Sequence, residues 1–535
     1  MKNLAKAKAI GAATLRYAAC FAGALLVAGC TTFRIDTERV SSVAWPRPDE
    51  TTFGRDIAKR LAGEHGQSSF RLLVSGLDAF AARAALAEAA ERTLDLQYYI
   101  VRGDMSTQLL LYEVLRAADR GVRVRLLVDD MYDTGNDFDL ANFSAHPNIE
   151  VRVFNPFLAR VPLGLSRLLE FIGSSARLNR RMHNKLWIAD NAAAIVGGRN
   201  LGDEYFDAHI EAHDEVNFTD LDILALGPVV REASKSFDEY WNSEWAIPIE
   251  SFVVSPPGPE QRADFATRLA QRVEQYRDTE YTGELRDPRF GRTLRRDEMP
   301  IVIAPAEVLY DNPGKEIARG DDGKPTQITL SVRARIEGAE REVILISPYL
   351  IPSAHGVAMF PALVHRGVRV RVLTNSLAAT DAPAVHAGYA RYRPTLIAGG
   401  VEMYELRSEP SSGRVKRRLG SSGASLHAKA IVVDRSVVVI GSLNLDPRSR
   451  LHNTEVALVI ESAELGAQVA QLFENGIDPA DAFRVELAER DRPESGLAWV
   501  AETDGTPMRY TSEPASFWKR FVAGLLALLV PEHML

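Results

Sequence analysis

The sequence predicts an α/β fold built twice: two similar domains, each a mixed β-sheet flanked by helices, related by a pseudo-twofold axis. Three observations lead there. Strand-like and helix-like stretches alternate along the chain, the pattern of α/β proteins. The string "DRGVRVRLLVDD" at 119–130 returns as "HRGVRVRVLTNS" at 365–376. An HxKxxxxD string also occurs twice, each copy followed, after six intervening residues, by a glycine-led turn ending in asparagine. The first copy supplies His183, Lys185, Asp190, Gly197, Gly198 and Asn200; the second supplies His427, Lys429, Asp434, Gly441, Ser442 and Asn444.

The N-terminus reads as a targeting segment. Lys2, Lys6, Lys8 and Arg16 precede an apolar run from Tyr17 that ends in "LLVAGC", and small residues ahead of a cysteine resemble a bacterial lipoprotein signal. Residues 1–29 are therefore expected to be a signal peptide, Cys30 the lipidated mature terminus and 30–44 a tether. An uncleaved signal anchor is the alternative, but 17–29 is short for a membrane span of roughly 20 residues. The expected location is the bacterial cell envelope, lipid-anchored and periplasm-facing. Thr31 favours the outer membrane, because an aspartate there often retains lipoproteins at the inner one. The two cysteines, Cys20 and Cys30, leave the mature chain without a pair to bridge. Stability must come from burial, which a chain of 535 residues with 46% hydrophobic composition readily supplies.

Removing 1–29 leaves 59 cationic against 71 acidic side chains, a net charge of −12. A general nucleic-acid binder is basic, so any anion must be bound locally.

The first domain is expected at 45–255. "ERTLDLQYYI" (91–100) reads as a strand, and Leu109, Leu110, Tyr112, Leu115 and Ala118 mark a helix. The strand after Gly121 and then the first HxK hairpin follow. The polar stretch 256–299, rich in proline, glycine and charge, is the linker. The second domain, 300–480, opens on the strand-like "PIVIAPAEVLY" and repeats the order, with "EREVILISPYLI" (340–351) matching 91–100. Gly121 and Gly367 precede their histidines by 62 and 60 residues. Residues 481–535 have no counterpart in the first half. They end in an apolar helix with Phe517, Phe521, Leu525 and Leu528 on one face and Trp518, Lys519 and Arg520 at its start. It is too short to span a bilayer; it could lie in the interface or pack on the core.

Residues two apart on a strand share a face, so His183 and Lys185 point together, as do His427 and Lys429. Asp190 and Asp434 belong to the strings but lie an odd number of residues away, at the hairpin turns. They are expected to bind backbone amides there. A pseudo-twofold axis then gathers two imidazoles, two ammonium groups and the amides of Asn200 and Asn444, with the Ser442 hydroxyl beside them. Such a centre suits a phosphodiester: Lys and Asn hold its oxygens, one imidazole attacks phosphorus and the other protonates the leaving oxygen. The lysines neutralise the phosphate, so no cofactor or metal is expected, and the other nine histidines are scattered. Each reacting imidazole needs an acceptor on its other nitrogen. Asp220 in "FTDLDILALGP" and Glu455 in "HNTEVALVI" are the candidates, with Asp222 competing with Asp220. Arg177, Arg180 and Arg181 precede the first motif, and Arg414, Lys416, Arg417 and Arg418 the second. They form either a solvated loop or a collar that draws anionic headgroups.

The paired motifs resemble the phospholipase D superfamily. Stretches such as "LLVDDMYD", "HNKLWIADNAAAIVGGRNLGDEYF", "SPYLIP", "GSSGASLHAK" and "GSLNLDPRS" are similar to bacterial cardiolipin synthases, in particular the cardiolipin synthase C type. The resemblance covers nearly the whole mature chain. It implies two phospholipase D-like domains with the site at their interface, a phosphohistidine intermediate, and transfer of a phosphatidyl group between phosphatidylglycerol and a second phospholipid. By that resemblance His183 is the nucleophile and His427 the general acid, an assignment that internal symmetry makes reversible. The first turn departs from the common Gly-Ser, having Gly197-Gly198. The expected partners are phospholipid substrates and a membrane, reached through lipidated Cys30 and, if it lies in the interface rather than on the core, the C-terminal helix. Nucleic acid is not expected, and a helper protein is admitted. A phospholipase D-type hydrolase is the alternative, with a nucleic-acid phosphodiesterase and a catalytically dead lipid-binding scaffold behind it.

Overall fold

Each copy of "RGVRVR" ends a helix and starts a strand by the same device. After the helix Met105–Asp119, Gly121 takes a φ of 95°, its amide donates to Ala118 O at 2.9 Å, and the Val122 amide reaches back to Ala117 O at 3.1 Å. After the helix Ser353–His365, Gly367 (φ 88°) and Val368 repeat both bonds to Val364 O and Leu363 O. Only glycine enters this left-handed region freely, which is why the repeat retains it.

The computed structural model describes residues 39–530 apart from 132–136, 159–163, 209–216, 254, 256, 297, 316–325, 409–424, 490–491 and 504. The signal segment, Cys30, and the basic residues Arg414, Lys416, Arg417 and Arg418 lie outside the described residues.

The strands of the first half are β1 (Ser68–Leu73), β2 (Thr93–Tyr98), β3 (Arg123–Asp129), β4 (Ile149–Phe154), β5 (Leu186–Ala189), β6 (Ala193–Gly197), β7 (Phe218–Thr219), β8 (Asp222–Leu226), β9 (Ala246–Pro248) and β10 (Val302–Ala304). Those of the second are β11 (Ala306–Tyr310), β12 (Glu342–Ile346), β13 (Arg369–Asn375), β14 (Glu402–Leu406), β15 (Ser425–Leu426), β16 (Ala430–Val433), β17 (Val437–Gly441), β18 (Val456–Glu461), β19 (Ala482–Glu489), β20 (Arg492–Thr503) and β21 (Thr506–Tyr510). The first sheet runs β10-β1-β8-β6-β5-β2-β3-β4-β9 and the second β11-β18-β17-β16-β12-β13-β14-β19-β20-β21. Eight strands correspond one to one: β1-β8-β6-β5-β2-β3-β4-β9 with β11-β18-β17-β16-β12-β13-β14-β19. In both, β2-β3-β4 and β12-β13-β14 run parallel, and the HxK hairpin and the flanking pairs are antiparallel. The repeated "RVR" also writes one buried cation into each sheet. Arg125 pairs with Asp95 and Asp238, each at 2.7 Å, and Arg371 with Glu342 and Glu474, each at 2.7 Å.

The halves share one apolar core in which Leu186, Val196 and Ile223 meet Val438, Ile440 and Leu458. The stretch "PIVIAPAEVLY" divides at Pro305: β10 pairs with β1 of the first sheet and β11 with β18 of the second. Contrary to the expectation that residues 481–535 have no counterpart, β19 takes beside β14 the place that β9 holds beside β4, so the repeat runs past 480 and only β20 and β21 extend the edge. The helix Phe517–Leu529 follows, capped by Ser516 Oγ. It lies on the helix Pro383–Ala398, with Ala515, Ala523 and Ala527 against Leu377 and Ala387. Among the described residues no helix is long and apolar enough to cross a membrane.

Candidate active site

The reactive residues of each string sit just ahead of a strand, not on it as strand parity suggested. β5 begins at Leu186 and β16 at Ala430, because the backbone preceding each pairs with the other half of the molecule. Met182 bridges Thr454, His183 N donates to Thr454 O at 3.0 Å, and Thr454 N donates to Arg181 O at 2.9 Å. Symmetrically, β15 pairs with β7, and His427 N donates to Thr219 O at 2.8 Å. Extended backbone keeps each lysine with its histidine: Lys185 Nζ donates to His183 O at 2.6 Å, and Lys429 Nζ lies 3.2 Å from His427 Nδ1.

The residue after each pairing threonine is a carboxylate, so each half supplies the acceptor for the other half's histidine. Glu455 Oε2 lies 2.9 Å from His183 Nδ1, and Asp220 Oδ2 lies 2.6 Å from His427 Nδ1. Nε2 of each ring is then the nitrogen left for substrate. Asp222, the competitor on the same strand face, is engaged elsewhere: it binds Arg83 at 2.9 Å and accepts from Arg199 N at 3.2 Å.

Several expected contacts are placed differently. Asp190 and Asp434, counted with the catalytic strings, each bind three backbone amides at the start of a neighbouring strand. Asp190 accepts from Glu91, Arg92 and Thr93 at 2.8–2.9 Å, and Asp434 from Glu340, Arg341 and Glu342 at 2.7–3.0 Å. Each therefore clamps its hairpin to the start of β2 or β12 rather than closing its own turn. Ser442, expected at the phosphate, is fully buried behind Glu455: its hydroxyl donates to that carboxylate and accepts from Val456 N at 3.0 Å. Asn200 Oδ1 accepts from Ile100 N at 3.2 Å. Asn444 is buried, and its Oδ1 has no hydrogen-bond partner among the described residues. Arg181 is no headgroup collar, being fully buried with Asp129 at 3.1 Å and Asn155 O at 2.7 Å. Arg177 binds Asn155, Pro156 O and Glu170.

The two pairs differ electrostatically. Burial, reinforced by Lys185 and Lys429, pushes His183 well below the usual imidazole range, while burial pushes Glu455 up against the pull of Lys185, Ser442 and Ser449. Burial and Lys429 also lower His427, opposed by Asp220. Burial would raise Asp220, yet His427, Lys429 and Arg199 outweigh it and hold the carboxyl well below its ordinary range. Burial drives Lys185 far down and lowers Lys429.

Sequence reasoning missed the aromatic walls and the support behind Glu455. Tyr99 meets His183 edge-on at 5.1 Å, and Tyr205 and Phe218 lie 5.2 Å from His427 between ring centroids. Tyr99 stands in "LDLQYYI" and Tyr205 in "GDEYF", stretches singled out without a role for either ring. Ser449 Oγ donates to Glu455 Oε1 at 2.7 Å, and the Glu455 amide binds Asp311, which Lys315 holds at 2.9 Å. Among the described residues no group of three or more His, Cys, Asp or Glu converges as metal ligands would.

Comparison with known proteins matches residues 83–241 and 332–477 to the family described as cardiolipin synthase, PLD-like domain. The chain is 40% identical over 487 residues to cardiolipin synthase C of Escherichia coli (strain K12), covering 89% of this chain and 98% of that protein. It is 26% identical to cardiolipin synthase A of Pseudomonas entomophila, covering 78% and 70%. The crystal structure of phosphatidylserine synthase from Haemophilus influenzae Rd KW20 has the same fold, with a TM-score of 0.55 at 12% identity over 90% of this chain and all of that one.

Proposed function

The chain belongs to the cardiolipin synthase family of phospholipase D-like enzymes, and from that premise we propose that it is a membrane-associated phosphatidyltransferase working through a phosphohistidine. Its substrates in this reading are phosphatidylglycerol and a second phospholipid. The observation that carries the reading is the crossed pairing: each imidazole is oriented through Nδ1 by a carboxylate from the opposite half.

In the first step Nε2 of His183 attacks phosphorus, and the bond from phosphorus to the leaving alcohol breaks as His427 passes its proton to that oxygen. In the second step the acceptor hydroxyl gives its proton to His427 and attacks phosphorus, and the phosphorus–nitrogen bond breaks. The unequal electrostatics support this division of labour. A nucleophile must be unprotonated, as burial and the lysines keep His183. An acid needs a proton, and His427 is lowered less than His183 because the ionised Asp220 opposes the effect of burial. Lys185 and Lys429, nearly inaccessible, would meet the phosphate charge as it builds in the transition state.

The acidic mature surface speaks against a nucleic-acid substrate. Attachment through a lipidated Cys30, facing the periplasm, would hold the enzyme at its lipid; labelling with a lipid precursor tests it, and Cys30→Ser should remove the label. The function is tested by incubating purified protein with phosphatidylglycerol, with and without phosphatidylethanolamine, and identifying products by mass spectrometry. Cardiolipin is the expected product. Phosphatidic acid without cardiolipin would point to the hydrolase, and cleavage of nucleic acid with both lipids untouched would defeat the reading.

A further inference from the structure

The helix Phe517–Leu529 is inverted relative to an ordinary surface helix. Its packed side is small, with Ala523 and Ala527 against the helix Pro383–Ala398. Six of its large side chains, Phe517, Trp518, Phe521, Val522, Leu525 and Leu528, stand in solvent, with Leu526 half-buried; the six are half of the large apolar residues exposed among the described residues. At 3.6 residues per turn all six fall within an arc of about 140°. Phe517, Trp518 and Phe521 form one aromatic cluster with centroids 5.7–6.3 Å apart. Trp518 is 70% exposed and Leu528 85%. A contiguous patch of this kind marks a docking surface.

The helix is fastened beside the site. Lys519 Nζ donates to Ala378 O at 2.6 Å. Three residues on, Asp381 takes the Tyr349 hydroxyl at 2.8–2.9 Å and acts electrostatically on His427 and Lys429. The helix is therefore anchored to the loop whose Asp381 acts on the His427–Lys429 pair.

We infer that this face docks on a phospholipid bilayer and sets the His427 side of the site against the lipid surface. The occupant follows from composition. Lys519 and Arg520 are the helix's only charged residues, so it is cationic and suits anionic headgroups, while Trp and Phe favour the headgroup boundary. A helix of 13 residues can lie in the interface but cannot span it. The orienting role rests on the phosphatidyltransferase reading; the docking itself does not.

The test uses the full chain reconstituted with phosphatidylglycerol vesicles whose acyl chains are brominated. Tryptophan fluorescence should be quenched, and Trp518→Phe should remove most of that quenching. Quenching that survives Trp518→Phe unchanged, or is absent, overturns the inference. So does a self-associated species that Phe521→Glu/Leu525→Glu dissolves while Trp518 stays unquenched, since the face would then bind a second copy. The double variant should lower turnover of phosphatidylglycerol in vesicles by about tenfold or more, with turnover of monomeric short-chain phosphatidylglycerol unchanged. Equal loss on both forms assigns the face to folding and overturns the orienting role. Quenching at Trp518 with no turnover of either lipid form would sustain the docking and defeat the phosphatidyltransferase reading instead.

Discussion

A Cβ on Gly198 would lie 2.1 Å from Oδ1 of Asp220, the carboxylate that holds His427. The equivalent position in the second half is Ser442, whose hydroxyl supports Glu455. The longer glutamate reaches its histidine with room for a serine behind it, whereas the shorter aspartate occupies the serine's place. Glycine and aspartate in one half therefore form a matched set, as do serine and glutamate in the other. Gly198→Ser alone should lower turnover by about tenfold or more, since Asp220 is pinned by His427 and by the Leu221 amide. Adding Asp220→Glu should recover part of the loss. The kinetics of the two single variants and the double variant check this; additive losses would contradict it.

Asp190 should matter for stability rather than chemistry. Asp190→Ala leaves three backbone amides at the start of β2 without their acceptor, at a cost of about 3 kcal/mol or more. Denaturant unfolding should register that loss while turnover per folded molecule stays near wild type. Asp434→Ala should follow with a smaller loss, its carboxylate being more accessible.

The lysines should show the reverse. Lys185→Met and Lys429→Met remove buried cations, which are costly to keep, so melting temperature should stay level or rise. Turnover should fall by about 10²–10³-fold, the scale of losing an electrostatic contact to transition-state charge. Steady-state rates and thermal melts on the same preparations separate the two effects.

Asp446 predicts a pH dependence of stability. Burial is the main cause that raises its carboxyl from 3.8 to about 7. Between those values the folded protein holds a proton that the unfolded chain has released, so this group's contribution falls as pH rises and stays low above about 7. Asparagine retains the cap to the Ser449 amide, which Asp446 accepts at 2.7 Å, without the charge. Asp446→Asn should melt about 2 °C or more above wild type at pH 8, with the difference vanishing toward pH 4. A constant difference across that range would contradict it.

The repeated strings made the duplicated fold legible, and they made His183, Lys185, His427 and Lys429 legible because these are local patterns. What sequence could not carry was non-local. Asp220 and Glu455 stood out as candidates, but their crossing to opposite histidines depends on Thr219 and Thr454 pairing backbone across the halves, and no spacing encodes that. Asp222 is drawn away from the histidine by Arg83, 139 residues earlier in the chain. Arg181 reads as a surface cation until the burial of Asp129 is known. Ser442 reads as a phosphate ligand until Glu455 is seen in front of it. The strands after 481 alternate too weakly to stand out from an extension, so β19 is not recognisable as the counterpart of β9 until both are seen beside β14 and β4.

The most direct measurement traps the intermediate. Purified protein is mixed with phosphatidylglycerol, quenched, and digested under conditions that preserve acid-labile phosphoramidates, and the peptides are mapped by mass spectrometry. A phosphatidyl adduct is expected on His183 in the wild-type protein and on neither histidine in His183→Ala. An adduct on His427 that persists in His183→Ala, or steady product formation with no histidine adduct in the wild type, would contradict this expectation.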